Sequence, residues 1–381
     1  MDFSLTPEQQ ELREAIVRFA RGSLNEDMLE RDRDARFARD LWAQCAELGI
    51  QGLPFRPEWG GGGADILTTV IALEALGYAC RDGGLVFGIG AQMWSVQMPI
   101  HNHGTDEQRE RYLPRLCSGE WIGAHGMSEP DSGSDAFSLR TSAEQHGDEY
   151  VLNGSKTYVS NAPVADLFLV FATIGRQMGV LGLTAFLVEK DTPGCRVGRK
   201  IEKMGLTTSP MSEIVFEDCV VPAANRLGRE GRAARIFNES MDWERSFLMA
   251  GCVGAMQRQL ETCVRYAGER KQFGKRIGEF ESVANKLVAM RVRHETSRLL
   301  LYQTAWKRDQ GIARPADAAM AKLFISEAWI QSCLDAVQVH GGAGYMREYE
   351  VERDLRDSIG GTLYSGTSEI QRSLIARDLG F

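Results

Sequence analysis

Glu244 is the residue whose surroundings most clearly suggest chemistry. It lies in Met241-Asp-Trp-Glu-Arg-Ser-Phe-Leu-Met249, a stretch that reads as helix, with Phe237, Met241, Leu248 and Gly251 at offsets of seven, three, four and seven. Those spacings put all four on its face. A carboxylate on an apolar helix face is costly unless it is paired or used. Desolvation favours its neutral form, so it can accept and hold a proton near neutral pH, as a general base must. The plainer reading is an ion pair with Arg245 or a solvent-facing rim.

Three further segments have the composition of ligand-binding turns. Ser128-Glu-Pro-Asp-Ser-Gly-Ser-Asp135 is small and polar, which lets backbone N–H groups approach a ligand. Arg270-Lys-Gln-Phe-Gly-Lys-Arg276 places cations beside a glycine break and suits a pyrophosphate. Gln338-Val-His-Gly-Gly-Ala-Gly344 closes a helix with glycines. Taken singly, each also reads as an ordinary loop or helix end. His340 has no partner at metal spacing, and the eight scattered cysteines form no C-x-x-C pair, so neither a metal site nor a disulfide framework is expected.

These segments need elements to position them. Thr6, Pro7 and Gln9 form a capping-box start for a first helix carrying Leu12, Ile16, Phe19 and Ala20 on one face. Helical patterns return at 40–48, 68–76 and 106–113, with Gly60–Gly63 as a connector. From Trp121 the pattern changes. Residues 150–159 read as a hairpin turning at Asn153-Gly154, and 167–173, 183–189 and 213–221 read as strands without intervening helices. That predicts an antiparallel β domain and no doubly wound sheet. No G-x-G-x-x-G follows a strand, so a nicotinamide-binding domain is not expected. No proline occurs between Ala234 and Ala313, which fits long helices of a bundle. The expected fold class is α+β, divided as a helical N-terminal domain (1–120), a middle β domain (121–228) and a C-terminal helical bundle (229–381).

Composition bounds the partners. Lys plus Arg is 44 against 52 Asp plus Glu, a net charge of −8, so no basic excess exists to neutralise nucleic acid. The N-terminal stretch has no leader pattern. The uncharged run 83–105 holds glycines, Gln92, Ser95, Gln97 and Pro99, too polar for a membrane span and better read as buried interior. A cytoplasmic protein is expected.

In this order, the segments Met127–Asp135, Arg270–Gly274, Gln338–Gly342 and Tyr364-Ser-Gly-Thr-Ser-Glu-Ile-Gln-Arg372 resemble the signatures of the acyl-CoA dehydrogenase family, and the likeness spans essentially the whole chain. The resemblance implies FAD lying between the β domain and the C-terminal four-helix domain, in a homotetramer or homodimer. By position it implies flavin contacts from Met127, Ser128, Gly133 and Ser134, and from Tyr158, Val159 and Ser160. Arg270, Gln272, Phe273, Gln338, Gly341 and Gly342 would reach the dinucleotide across a subunit interface, with Thr367 and Glu369 near the pyrophosphate and adenosine. Ser134, Asp242, Arg245, Trp94, Ser365 and Gly366 would line the substrate, Trp94 shortening the acyl pocket.

Two positions depart from the common pattern. Many members carry the catalytic glutamate between the Tyr and Gly of the last signature; Ser365 stands there and cannot take a proton at neutral pH. A branch resembling isovaleryl- and long-chain acyl-CoA dehydrogenases carries the base on the long helix, where this chain has Glu244. Glu281 replaces a common glutamine near the dinucleotide. Asn161–Leu167, Met241–Glu244, Lys322–Glu327 and Ser365-Gly-Thr367 further resemble the branch that oxidises prolyl thioesters held on carrier proteins, while Arg245 is typical of relatives that use CoA.

The implied reaction is removal of an α proton by Glu244 with hydride transfer from the β carbon to flavin N5. A ribityl hydroxyl and the backbone N–H of Ser365 would stabilise the enolate, which leaves the serine side chain without a required role. Electrons would pass to an electron-transfer flavoprotein or to oxygen. The rival readings are an acyl-thioester oxidase on the same scaffold and a flavin-binding scaffold without turnover.

Overall fold

A computed structural model describes residues 4–381 of the chain. The first helix, Pro7–Ser23, starts at the expected capping box: Thr6 Oγ1 accepts from the Gln9 N–H, and the Gln9 side chain accepts from the Thr6 N–H. Helices Arg39–Glu47, Ile66–Ala79 and Asp106–Cys117 follow the sequence patterns closely. Residues 1–3 lie outside the described part.

The uncharged run forms a nearly continuous helical rod, Gly83–Gln92, Met93–Gln97 and Met98–His103. Its middle piece is a π-helical turn. In the preceding helix Ile66–Ala79, Gly77 allows close approach to the C-terminal bundle, because a Cβ there would lie 2.1 Å from the Gly251 carbonyl oxygen. No helix among the described residues is long and apolar enough to cross a membrane.

The middle region is an eight-stranded sheet: β1 (Gly123–Gly126), β2 (Ser142–His146), β3 (Glu149–Ser160), β4 (Leu167–Thr173), β5 (Leu183–Glu189), β6 (Cys195–Lys200), β7 (Met211–Pro222) and β8 (Arg226–Leu227). Its order is β6-β7-β3-β2-β4-β5-β8, with β1 beside β4. Pairing is antiparallel except that β1 runs parallel to β4, and β2 touches β4 in parallel at Ser142–Thr173. The core strand β4 is buried along its whole length.

The hairpin at Asn153-Gly154 is corrected. β3 runs straight through these residues, and the turn lies at Gly147-Asp148, with Gly147 at φ 61°. Asn153 pairs across the strands with Ser142 and bonds Asp218 through its side chain. Gly154 is required by crowding: at φ 142° an added Cβ would sit 2.7 Å from Thr141. The same dipeptide that favours a tight turn also permits a bulge and a close approach.

Helices Ala233–Phe247, Ala250–Glu269, Glu281–Asp309 and Pro315–His340 form the C-terminal bundle, followed by Val351–Gly360 and Ser368–Asp378. An exposed hairpin, Lys271–Gln272 paired with Lys275–Arg276, interrupts the expected long run of helix.

Candidate active site

Glu244 lies one turn before the end of helix Ala233–Phe247 and is 9% exposed. Phe237, Met241 and Leu248 are buried on the same face, as the spacing predicts. The alternative ion pair with Arg245 does not form. Arg245 Nε donates to the Ser365 carbonyl oxygen at 2.9 Å, and its other contact is Asp242 at 3.7 Å.

Two hydroxyls hold the carboxylate. Ser365 Oγ donates to Glu244 Oε1 at 2.5 Å, and Ser95 Oγ donates to Oε2. Burial pushes Glu244 above the ordinary carboxylate range, against the downward pull of the two hydroxyls and of the nearby Arg245 and Lys322 charges. The result is a solvent-shielded carboxylate tuned toward proton acceptance.

The turn facing Glu244 is fixed by its carbonyls. Ser365 and Gly366 have φ of 56° and 89°. Lys322 Nζ donates to the Gly366 carbonyl at 2.8 Å, and Gln371 Nε2 reaches the same oxygen at 2.7 Å. Burial drives the Lys322 ammonium down to about 8, with the Arg245 charge acting in the same direction. Thr367 caps helix Ser368–Asp378, and Glu369 lies exposed in its first turn.

Trp94 is fully buried, stacked on Trp243 at 5.9 Å and packed against Phe247 at 5.2 Å. Phe87 and Tyr364 pack with their ring centroids 4.9 Å apart. With Leu248, Gly251 and Cys252 they line a cavity of about 30 Å³.

The first group of expected flavin contacts shares one support. Met127–Ser134 runs from β1 towards β2, alongside β3. The Thr157 N–H donates to the Ser128 carbonyl at 2.9 Å, and Lys156 Nζ reaches the Met127 carbonyl at 3.3 Å. Lys156 is itself buried in an ion pair with Glu129 at 2.6 Å, and Glu129 also accepts the N–H groups of Arg140 and Thr141. Burial opposes both charges and pushes Lys156 down to about 8. For Glu129 the neighbouring lysine and hydrogen bonds win, holding it below the ordinary range. A register shift between Lys156 and Val159 turns Tyr158 outward at φ 56°, 66% exposed, while Val159 and Ser160 pair with Ser212 and Met211.

The second group lies elsewhere. Arg270, Gln272 and Phe273 occupy the exposed hairpin, with Phe273 94% exposed. Gln338, Gly341 and Gly342 end helix Pro315–His340 beside it, where Tyr266 stacks on His340 at 4.2 Å. Lys322, on the same helix, is at the Glu244 end. At 1.5 Å per residue, Lys322 and Gln338 are roughly 24 Å apart along the helix. Glu281 begins helix Glu281–Asp309 and is exposed. An added Cβ at Gly133, Gly274, Gly341 or Gly342 would meet nothing within 4 Å, so these turns leave open room for a cofactor.

Ser95, Lys156, Glu129, Lys322 and Gln371 had no assigned role in the sequence reading. A lysine in an otherwise apolar stretch of helix was a usable signal for Lys322. Ser95 offered no such signal, since its position depends on the π-helical turn.

This architecture, with a buried carboxylate held between the helical rod 83–103 and the C-terminal helices, defines a class, and comparison with known proteins agrees. Residues 6–120, 124–219 and 231–380 match the N-terminal, middle and C-terminal domains of acyl-CoA dehydrogenase. The chain belongs to the acyl-CoA dehydrogenase family, and is an FAD-dependent oxidoreductase acting on the CH–CH bond of acyl thioesters. It is 42% identical to an L-prolyl-[peptidyl-carrier protein] dehydrogenase of Serratia sp., over 100% of this chain and 98% of that one. The crystal structure of the prolyl acyl carrier protein oxidase AnaB is 49% identical, with a TM-score of 0.98, and is covered over 100% of its length by 99% of this chain. A structure of PigA with FAD and proline is 41% identical, with a TM-score of 0.97, over 100% of this chain and 99% of that one.

Proposed function

We propose that the chain dehydrogenates a prolyl thioester tethered to a carrier protein, with Glu244 removing the α proton. The observation that carries this reading is the buried Glu244 carboxylate, bound by two hydroxyls and left unpaired by Arg245. A thioester α-C–H is weakly acidic, so its removal needs a base of raised proton affinity and a donor at the carbonyl oxygen. Ser365 cannot be that base, because a hydroxyl is not an acceptor of this proton at neutral pH. Its backbone N–H, in the turn held by Arg245, Lys322 and Gln371, is the donor assigned to the thioester oxygen. When bound, FAD accepts the hydride from the β carbon.

The prolyl substrate is supported by the likeness to the Serratia enzyme, AnaB and PigA. Met127–Ser134 and Tyr158–Ser160 are assigned to the flavin. Arg270, Gln272, Phe273, Gln338, Gly341 and Gly342 are assigned to the FAD of a neighbouring subunit, a reading supported by the separation of Lys322 and Gln338 along helix Pro315–His340 and by the exposure of Phe273. A homo-oligomer follows, with the domains divided near residues 120 and 228.

The test is anaerobic mixing of the FAD-loaded protein with L-prolyl carrier protein, L-prolyl-CoA and butyryl-CoA. Fastest flavin bleaching with the carrier-bound prolyl group is expected; faster bleaching with butyryl-CoA would overturn the substrate. An electron-transfer flavoprotein is the proposed acceptor. The second reading, oxygen as acceptor, is favoured by the likeness to a protein described as an oxidase. Rapid reoxidation in air with stoichiometric peroxide would establish it.

A further inference from the structure

The rod 83–103 carries its π-helical turn at Met93–Gln97, and Ser95 is the central residue of that turn. Its neighbours Trp94 and Val96 are fully buried, and Ser95 is 2% exposed. A serine in such a place is costly without a partner. Its partner is Glu244 Oε2, 149 residues away in the chain. A π turn inserts a residue into the helical repeat and re-aims the side chains around it, a feature often found at functional sites. Here it delivers a hydroxyl to one carboxylate oxygen while Ser365 delivers another to the second.

We propose that Ser95 is a positioning residue for the base: with Ser365 it locks the Glu244 carboxylate in one orientation and sustains its ionised form inside a dry site. This rests on the reading of Glu244 as base. An ionised carboxylate has about four acceptor positions, so each oxygen keeps one for the substrate proton after its hydroxyl bond is made. Fixed geometry matters because a reacting group displaced by about 1 Å can cost about a hundredfold in rate. A hydroxyl donor also favours the ionised form over the neutral one, offsetting part of the burial effect. The charged groups that act on the carboxylate are Arg245 and Lys322, and Tyr364 near it stays neutral.

The sign follows directly. Losing a donor raises the proton affinity of Glu244, so the carboxylate forms at higher pH and the acid side of the rate profile moves up. The test follows the Glu244 carboxyl stretch by infrared difference spectroscopy across pH, assigned by subtracting Glu244→Gln, and needs no substrate. In Ser95→Ala the midpoint is expected to rise by about one pH unit. Ser365→Ala should act in the same direction, and the double variant should move further. Anaerobic bleaching by L-prolyl-pantetheine should show the same displacement, with a plateau about tenfold lower. Alanine is smaller and less polar, so folding is retained, and Ser95→Cys, a weak donor of similar size, should also shift upward. An unmoved midpoint in both Ser95 variants would overturn the proposal. Undiminished bleaching in Glu244→Gln would instead overturn the base assignment, whatever the infrared midpoint shows.

Discussion

The centre around Glu244 and the hairpin at Arg270–Arg276 belong to the same helical bundle, yet they are built in opposite ways. Around Glu244 the chain supplies everything within itself: two hydroxyl donors, a turn pinned through its carbonyls by Arg245, Lys322 and Gln371, and aromatic walls. At the hairpin, Phe273 is almost fully exposed at φ 48°, and the glycines beside it face open space. A proton-transfer site needs its groups desolvated and fixed before substrate arrives. An outward-reaching segment suits the role proposed for it, contact with FAD and a second subunit.

The largest expected effect tests the self-contained side. Glu244→Gln keeps shape and hydrogen bonding, so FAD should remain bound while thioester-driven bleaching slows by roughly 10² to 10⁴. Unchanged bleaching in stopped flow would remove the contrast at its root.

The second concerns the support beneath the flavin loop. Glu129→Gln leaves Lys156 buried beside an uncharged partner, and is expected to cost about 3 kcal/mol in urea unfolding and to loosen FAD. A loss confined to FAD affinity, with no change in stability, would show that the pair serves the cofactor alone.

The open side should respond differently. Phe273→Ala removes an exposed ring, so the fold should be unaffected in the isolated chain. FAD affinity should fall about tenfold to a hundredfold and the oligomer should weaken, as for an aromatic anchor at an interface. Fluorescence titration together with sedimentation would check this. A monomer that binds stoichiometric FAD would refute the shared site.

The smallest effect is a pH slope. Asp357, on helix Val351–Gly360, is pushed up to about 7, first by burial and then by neighbouring Asp354, against the Leu206 N–H and nearby arginines. Its folded value lies above its unfolded one, so the folded state holds a proton that the unfolded state releases between about pH 4 and 7. Stability from this group is present below that window and lost as pH rises through it. Asp357→Asn should flatten this decline in melting temperature between pH 5 and 8. An identical slope in both proteins would show that Asp357 titrates normally.

Legibility in the sequence divides along the same line. Glu244 was readable because its apolar neighbours recur at three, four and seven residues, a local property of any helix. The Tyr364–Arg372 and Arg270–Gly274 segments were readable because they are contiguous. The hydroxyl on Glu244 Oε2 was not, because the helical period alone does not announce a π turn and the two residues meet only on folding. Ser365 was read for its backbone; the structure adds a side-chain bond to Glu244. Asn153-Gly154 misled because glycine there answers to Thr141, a neighbour across the sheet, while the turn was made by Gly147-Asp148.

By itself, then, the sequence determined the order of helices, strands and bundle, the family, the cofactor and the identity of the buried carboxylate, all of which depend on local periodicity or contiguous motifs. Tertiary structure decided which groups surround that carboxylate, which lysine supports the Met127–Ser134 loop and which segments stay open. Those outcomes depend on contacts between residues distant in the chain, and their energies arise from burial and hydrogen bonding that exist only once the elements have packed.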